Sequence, residues 1–154
     1  MRVKGTRDIA KLRDETKREI DRAADARWSH PKLLTPGSGM ALTYKTKELQ
    51  AREFLATPDW FDEQGVFIPA NYEPGTYPLL DVSVGIEGDD VYQVARIVQE
   101  MADQWIQAAA AIEGVRLSSK NAVDAAATPA TIAAAKDQAL AGFSQIADQL
   151  HQQP

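Results

Sequence analysis

The sequence predicts an all-α fold: a long antiparallel helical hairpin, two further helices, and an irregular Pro- and aromatic-rich segment. Three observations carry that prediction. Val91, Val94, Val98, Met101, Trp105, Ala108, Ile112, Val115, Ser119, Ala122 and Ala126 alternate steps of three and four. That spacing keeps one face of a long helix turned toward a partner helix. After a Thr128-Pro129 break, Ile132, Lys136, Ala139, Phe143, Ile146 and Leu150 repeat it. Between them and the N-terminal third, Pro58, Pro69, Pro74 and Pro78 crowd one stretch too densely for regular helix.

The first helix is expected from about Thr6 to Trp28. Ile9, Leu12, Thr16, Ile20, Ala23 and Arg27 give it a thin stripe. Its other faces carry opposite charges at helical spacing: Lys11 with Glu15, Asp14 with Arg18, Lys17 with Asp21. Such a helix is expected to be mostly solvated and to bury little. His30-Pro31 ends it, because proline disfavours helix in the residue before it. The second helix starts at Ser38 or Gly39, after the Pro36-Gly37 turn and with Ser38 as a cap, and runs to Ala56. Met40, Tyr44, Ala51, Phe54 and Leu55 form its apolar face, with Leu42 and Leu49 beside it; Thr57-Pro58 stops it.

Residues 58–88 form the irregular segment, with Trp60, Phe61, Phe67, Tyr72 and Tyr77 among its prolines and glycines. So many aromatics argue against a disordered linker. Val66-Phe67-Ile68 reads as a short strand or hairpin arm. An irregular connection of this length is often functional. The hairpin then occupies residues 89–150. Asp89 and Asp90 suit the start of its first helix, which ends near Ala127, and Thr128 and Pro129 suit the start of its second. The many alanines allow the two backbones to approach closely. Ala95, Ile97, Ala102, Ala109, Ala111, Val123 and Ala125 flank the stripe with apolar groups where a free coiled coil carries charge, so the face is wide and suits a bundle. Ile106 and Leu117 break the polar pattern on the opposite side.

At 154 residues the chain fits one domain, divided as 1–57, 58–88 and 89–150. Its net charge of −5 gives no general attraction to nucleic acid. It has no cysteine, which excludes disulfides and thiolate metal sites. No signal-peptide core and no membrane-length apolar run is present, so a cytoplasm, or an assembly built there, is the expected location.

Catalytic chemistry finds little footing. His30 precedes a proline and His151 sits near the end of the chain, neither in a metal-ligand spacing. No phosphate-binding glycine loop or nucleophile elbow is present. Asp81, Glu87, Asp89 and Asp90 suit helix capping and a solvated loop better than a cation site. Asp59, Asp62 and Glu63 around Trp60 and Phe61 suggest a carboxylate pair in an aromatic cleft, as in a glycosidase, but no strand scaffold is there to hold one. No catalytic residue, cofactor or metal is therefore expected. Residues 1–29 hold nine Lys or Arg against six Asp or Glu. Their alternating signs favour a salt-bridge-laced helix over a nucleic-acid arm. The candidate partner-binding residues are Trp60, Phe61, Phe67, Tyr72, Tyr77, Ile106 and Leu117. For the five aromatics, packing onto the thin core of the first two helices is preferred over an interface role.

Tyr77-Pro78-Leu79-Leu80, the Gly88-Asp-Asp-Val91 helix start, Met101-Ala-Asp-Gln-Trp105, Ile112-Glu113 followed by Arg116 and Lys120, and Ala127-Thr-Pro-Ala130 occur in that order. With Tyr44 and the Glu48-to-Phe54 stretch, this series is similar to small helical proteins of the tail and tail-fibre modules of tailed bacteriophages and prophages, over roughly residues 42–150. The resemblance implies a non-enzymatic virion structural component of the tail, baseplate or tail fibre, homo-oligomeric and in contact with other virion proteins. It carries no site residues. A tail-fibre assembly chaperone is the first alternative. A small nucleic-acid-binding or regulatory protein using the N-terminal helix is the second.

Overall fold

In the computed structural model, residues 8–28 and 38–152 are described. The helices are α1 (Ile9–Trp28), α2 (Ser38–Ala56), the one-turn α3 (Pro78–Asp81), α4 (Val91–Ala125) and α5 (Pro129–Gln152). Two 3-10 turns, Pro58–Trp60 and Pro69–Asn71, interrupt the connection between α2 and α3. The fold is all-α: among the described residues there is no strand, only isolated bridges at Phe61–Phe67 and Val84–Gly88. The turn residues around His30-Pro31 and Pro36-Gly37, and the Ser38 side chain, lie outside what is described.

Helix starts follow local chemistry. Asp8 caps α1 by accepting from the Ala10 amide at 3.0 Å. Asp90 caps α4 through the Gln93 amide at 2.8 Å, and Gln93 returns the favour by accepting from the Asp89 amide at 3.1 Å. Thr128 and Thr131 cap α5 reciprocally, at 3.2 and 3.1 Å.

The buried residues form two hydrophobic clusters, and the chain divides into two compact units. The first unit combines α1 with residues 106–152. Its core includes Ile20, Ala24, Ile112, Val123, Ile132, Ala139 and Phe143. Arg13 reaches the Ala126 carbonyl, Lys17 meets Asp124, and Asp21 meets Lys120 and Arg116, so α1 runs antiparallel to the second half of α4. A Cβ on Gly142 would stand 3.1 Å from the Val115 methyls, so α5 returns along α4 as the expected hairpin. Helix α1 buries only Thr16, Ile20 and Ala24 among its described side chains, as its thin stripe predicts, yet that stripe is packed against its neighbours. The helix lies alongside α5, with Glu19 paired to Lys136, and completes a three-helix unit. Two small residues, Ala24 on α1 and Ala139 on α5, are fully buried in that core, which is how a helix with so thin a stripe still packs tightly.

The second unit, residues 35–105, is built from α2, α3, the irregular segment and the first turns of α4. Its core is Ala51, Phe54, Tyr77, Leu80, Val91, Val94 and Ala95. The α4 stripe is therefore not buried without a break. Met101 is 62% exposed and Trp105 38%, whereas Val94 and Ile112 are fully buried. Ala122 is exposed and Val123 is buried in its place. A straight α-helix drifts about 20° per heptad against a strict seven-residue repeat, and after four heptads that drift moves the inward position by nearly one residue.

Candidate functional site

The irregular segment folds around one side chain, Phe54. The chain leaves α2 at Thr57, whose amide caps the Phe54 carbonyl at 3.2 Å, and Pro58 opens the first 3-10 turn. That turn stacks Trp60 on Phe54 with ring centroids 5.1 Å apart. Phe61, Phe67, Tyr72 and Tyr77 meet the same ring edge-on at 5.8, 5.6, 5.6 and 6.1 Å. Edge-to-face and offset arrangements at these distances are the favoured ones.

Carboxylates hold this cluster in shape. Asp62 accepts from the amides of Gln64 and Val66 at 2.9 and 2.8 Å, and Gly65, at φ +77°, completes the tight turn. The turn returns Val66 and Ile68 to pair with Asp62 and Trp60, so the expected hairpin arm amounts to one bridge. Asp81 accepts from the Tyr72 hydroxyl at 2.9 Å and from the Gly75 amide at 2.7 Å. Burial, reinforced by that bond to Asp81, pushes the Tyr72 phenol up to about 12. Glu87 pairs with Lys47, whose side chain is buried, and the Gln50 amide oxygen accepts from the Leu79 amide at 3.0 Å. Of the acidic residues singled out in the sequence, Asp62, Asp81, Glu87 and Asp90 thus hold turns, a helix cap and an ion pair. Asp59 enters through its backbone carbonyl, which accepts from the Asn71 side-chain amide at 3.0 Å.

Beside the cluster, Tyr92 packs on Phe61 and Phe67 at 5.8 and 5.9 Å, with the Arg96 guanidinium 6.0 Å above its ring. Leu55, Pro58, Phe61 and Tyr92 floor an open groove of about 620 Å³, rimmed by Arg96, Gln99, Glu100 and Asp103. Arg52 bridges Glu48 and Asp103 at 3.0 and 2.8 Å. The rim carries both signs of charge, so it selects no ligand charge.

The seven candidate partner-binding residues are divided between the two units. Trp60, Phe61, Phe67 and Tyr72 are half-buried and Tyr77 is buried, all packed in the core around Phe54. Ile106 and Leu117 belong to the other unit, where they expose 48% and 50% of their surface. On α1, Lys11 pairs with Glu15 at 3.9 Å as the spacing predicts. Lys17, however, pairs with Asp14 and Asp124 instead of Asp21, and Asp21 pairs with Arg116 and Lys120 of α4. His151 holds the Ala147 carbonyl at 2.8 Å, while His30 lies outside the described residues. Among the described residues no helix is long and apolar enough to cross a membrane.

Sequence reasoning missed the turn after α3. Val82, Val84 and Ile86 are 70%, 38% and 83% exposed there. The signal that marks it is compositional: from residue 53 to 95 the chain holds nine carboxylates and no lysine or arginine. No family model, curated protein or solved structure matches the chain.

Proposed function

We propose that this chain is a non-enzymatic structural component of a tailed-phage particle, placed in the tail, baseplate or tail fibre and acting by protein–protein contact. The observation that carries a contact role is the pair Ile97 and Met101 on α4. Four residues apart, these side chains are 38% and 62% exposed, on a helix whose preceding turn holds the fully buried Val94 and Ala95. An apolar row fixed on a rigid helix is the form taken by helix-in-groove contacts. The phage assignment itself rests on the resemblance in residues 42–150.

Repeated subunits in a particle make such contacts recur by symmetry, so a homo-oligomer is part of the proposal. Mass spectrometry of gradient-purified particles of the encoding virus tests it. Peptides of this chain at stoichiometric level in finished particles are expected. Their confinement to the lysate would move the reading to an assembly chaperone. Light scattering of the purified chain, with Met101→Ser as comparison, tests the oligomer. A monomer unaffected by the substitution would remove that part of the proposal.

A further inference from the structure

We infer that the turn after α3 is a docking knuckle, with Val82, Val84 and Ile86 as its apolar tip, and that its partner is a protein bearing an apolar socket edged by lysine and arginine. The inference rests on the protein-contact reading above and names the chemistry of one contact.

Single exposed apolar residues are ordinary on any surface. Here three β-branched side chains fall within five residues, and the backbone that carries them is firmly held. The Ser83, Val84 and Ile86 amides donate to the carbonyls of Leu80, Asp81 and Ser83 at 3.0, 3.2 and 3.1 Å. The Gly85 amide donates to the Gly88 carbonyl at 2.7 Å, with Gly85 at φ +81° turning the corner. The buried Ser83 hydroxyl donates to the Leu79 carbonyl at 3.1 Å. A Cβ on Gly88 would stand 2.9 Å from the Val94 nitrogen, so the base of the turn is seated on the first turn of α4. β-Branched side chains lose little rotamer freedom on contact, and an ordered turn has little backbone entropy left to lose. Rigid display of this kind suits binding, and Val82 and Ile86 keep most of their surface out of the core.

Charge selects the partner. Asp81, Glu87, Asp89 and Asp90 lie beside the tip in sequence. Lys47 neutralises Glu87, whereas Asp81 and Asp90 keep their charge while they hold a turn and a helix cap. The surroundings therefore stay acidic, with no Lys or Arg between residues 53 and 95. The second unit as a whole carries twelve carboxylates against four Lys or Arg. Of those four, Lys45, Lys47 and Arg52 are already in ion pairs. Such a surface is repelled by anionic lipid and by phosphate backbones, and is complementary to a basic protein. A basic surface alone leaves the aliphatic tip in water, so the partner must also offer an apolar recess. Three side chains fall well short of the about 800 Å² per partner of a standard interface. They act as its central anchor, with the carboxylates as rim.

The test uses the full chain and a displayed random dodecapeptide library as the probe. Enriched peptides should combine large apolar residues with lysine or arginine, and added salt should weaken them. The double variant V82S/I86S should bind them at least about tenfold more weakly. Its helical circular dichroism and melting should match the parent, because both positions face solvent. Should it fail to fold, amide exchange of residues 82–87 in the parent, slowed by the selected peptide, gives the same answer. Acidic or uncharged selected peptides, undiminished binding to V82S/I86S, no enrichment at all, or preferential binding of the chain to phosphatidylserine vesicles would each overturn the inference. The particle mass spectrometry is independent: the chain found in particles without knuckle binding leaves the virion proposal standing, and the converse leaves this one.

Discussion

Replacing Phe54 by alanine should destabilise the second unit by about 4–5 kcal/mol. Large-to-small changes at buried phenylalanines cost about 3–5 kcal/mol, from lost transfer energy and the cavity left behind. Phe54 is fully buried and touches five other rings, at 5.1 to 6.1 Å. Each aromatic pair is worth about 0.5–1.5 kcal/mol beyond area; the pairs share one ring and are not additive, which places the cost at the top of the range. Domains are stable by about 5–15 kcal/mol, so much of the unit's stability hangs on this side chain. Urea unfolding followed by the near-ultraviolet dichroism of the aromatic cluster is the assay. At a slope of about 2 kcal/mol/M the midpoint should fall by about 2 M. Val66→Ala, at a position 59% exposed, is the control and should stay within about 0.5 kcal/mol. A Phe54→Ala shift worth less than about 1 kcal/mol would refute the claim that the irregular segment folds onto α2 through this ring.

Other outcomes follow from single contacts. Lys120 first and Arg116 second hold the Asp21 carboxylate below its usual range. Its contribution is therefore present above the ordinary carboxylate pKa and lost as pH falls through the lowered one. Asp21→Asn should cost about 1 kcal/mol or less at neutral pH, since the side chain is 40% exposed and screened, and the difference should vanish in strong acid; a gap in melting temperature that persists there would count against the pairing. A Cβ at Gly114 meets nothing within 4 Å, whereas one at Gly142 meets the Val115 methyls at 3.1 Å. Gly114→Ala should thus stabilise by about 0.5–1 kcal/mol and Gly142→Ala by clearly less, as read by melting temperature; equal gains would mean that α4 and α5 are not in contact there. Removing the α4 cap with Asp90→Ala should cost about 1 kcal/mol in urea titration, and no change would show the cap to be dispensable. In a spectrophotometric titration one tyrosine should ionise only near 12, and Tyr72→Phe should abolish that step.

Much of the fold was legible because its signals are local. Thr57-Pro58, Asp90 with Gln93, and Thr128-Pro129 mark helix ends within a few residues of where the hydrogen bonds place them. The hairpin followed from periodicity. The burial of α1 was not legible, since Ile20 and Ala24 look sparse until Ala139 and Phe143 of a helix more than 100 residues later come alongside. Phe54 was visible only as one apolar residue of α2. Its role as a hub depends on five aromatics brought back by turns that Asp62 and Asp81 stabilise. The exposure of Met101 was hidden by an unbroken heptad pattern, because spacing reports which side chains align and says nothing of how deeply each is buried. Of the candidate contact residues, Ile106 and Leu117 were found by their breach of the polar face. Val82, Val84 and Ile86 were overlooked because a short apolar alternation inside an irregular segment reads as ordinary loop.

The first unit joins α1 to residues 106–152 across the whole of the second unit's sequence, and that has a bearing on biosynthesis. Residues 35–105 are contiguous and can close as soon as they clear the ribosome. Helix α1 emerges earlier yet must wait for α5, about 100 residues further on, a delay of roughly 5–20 s at ordinary translation rates. Through that interval the α1 side chains Ile20 and Ala24, fully buried in the finished protein, stand open to chaperones and to neighbouring nascent chains.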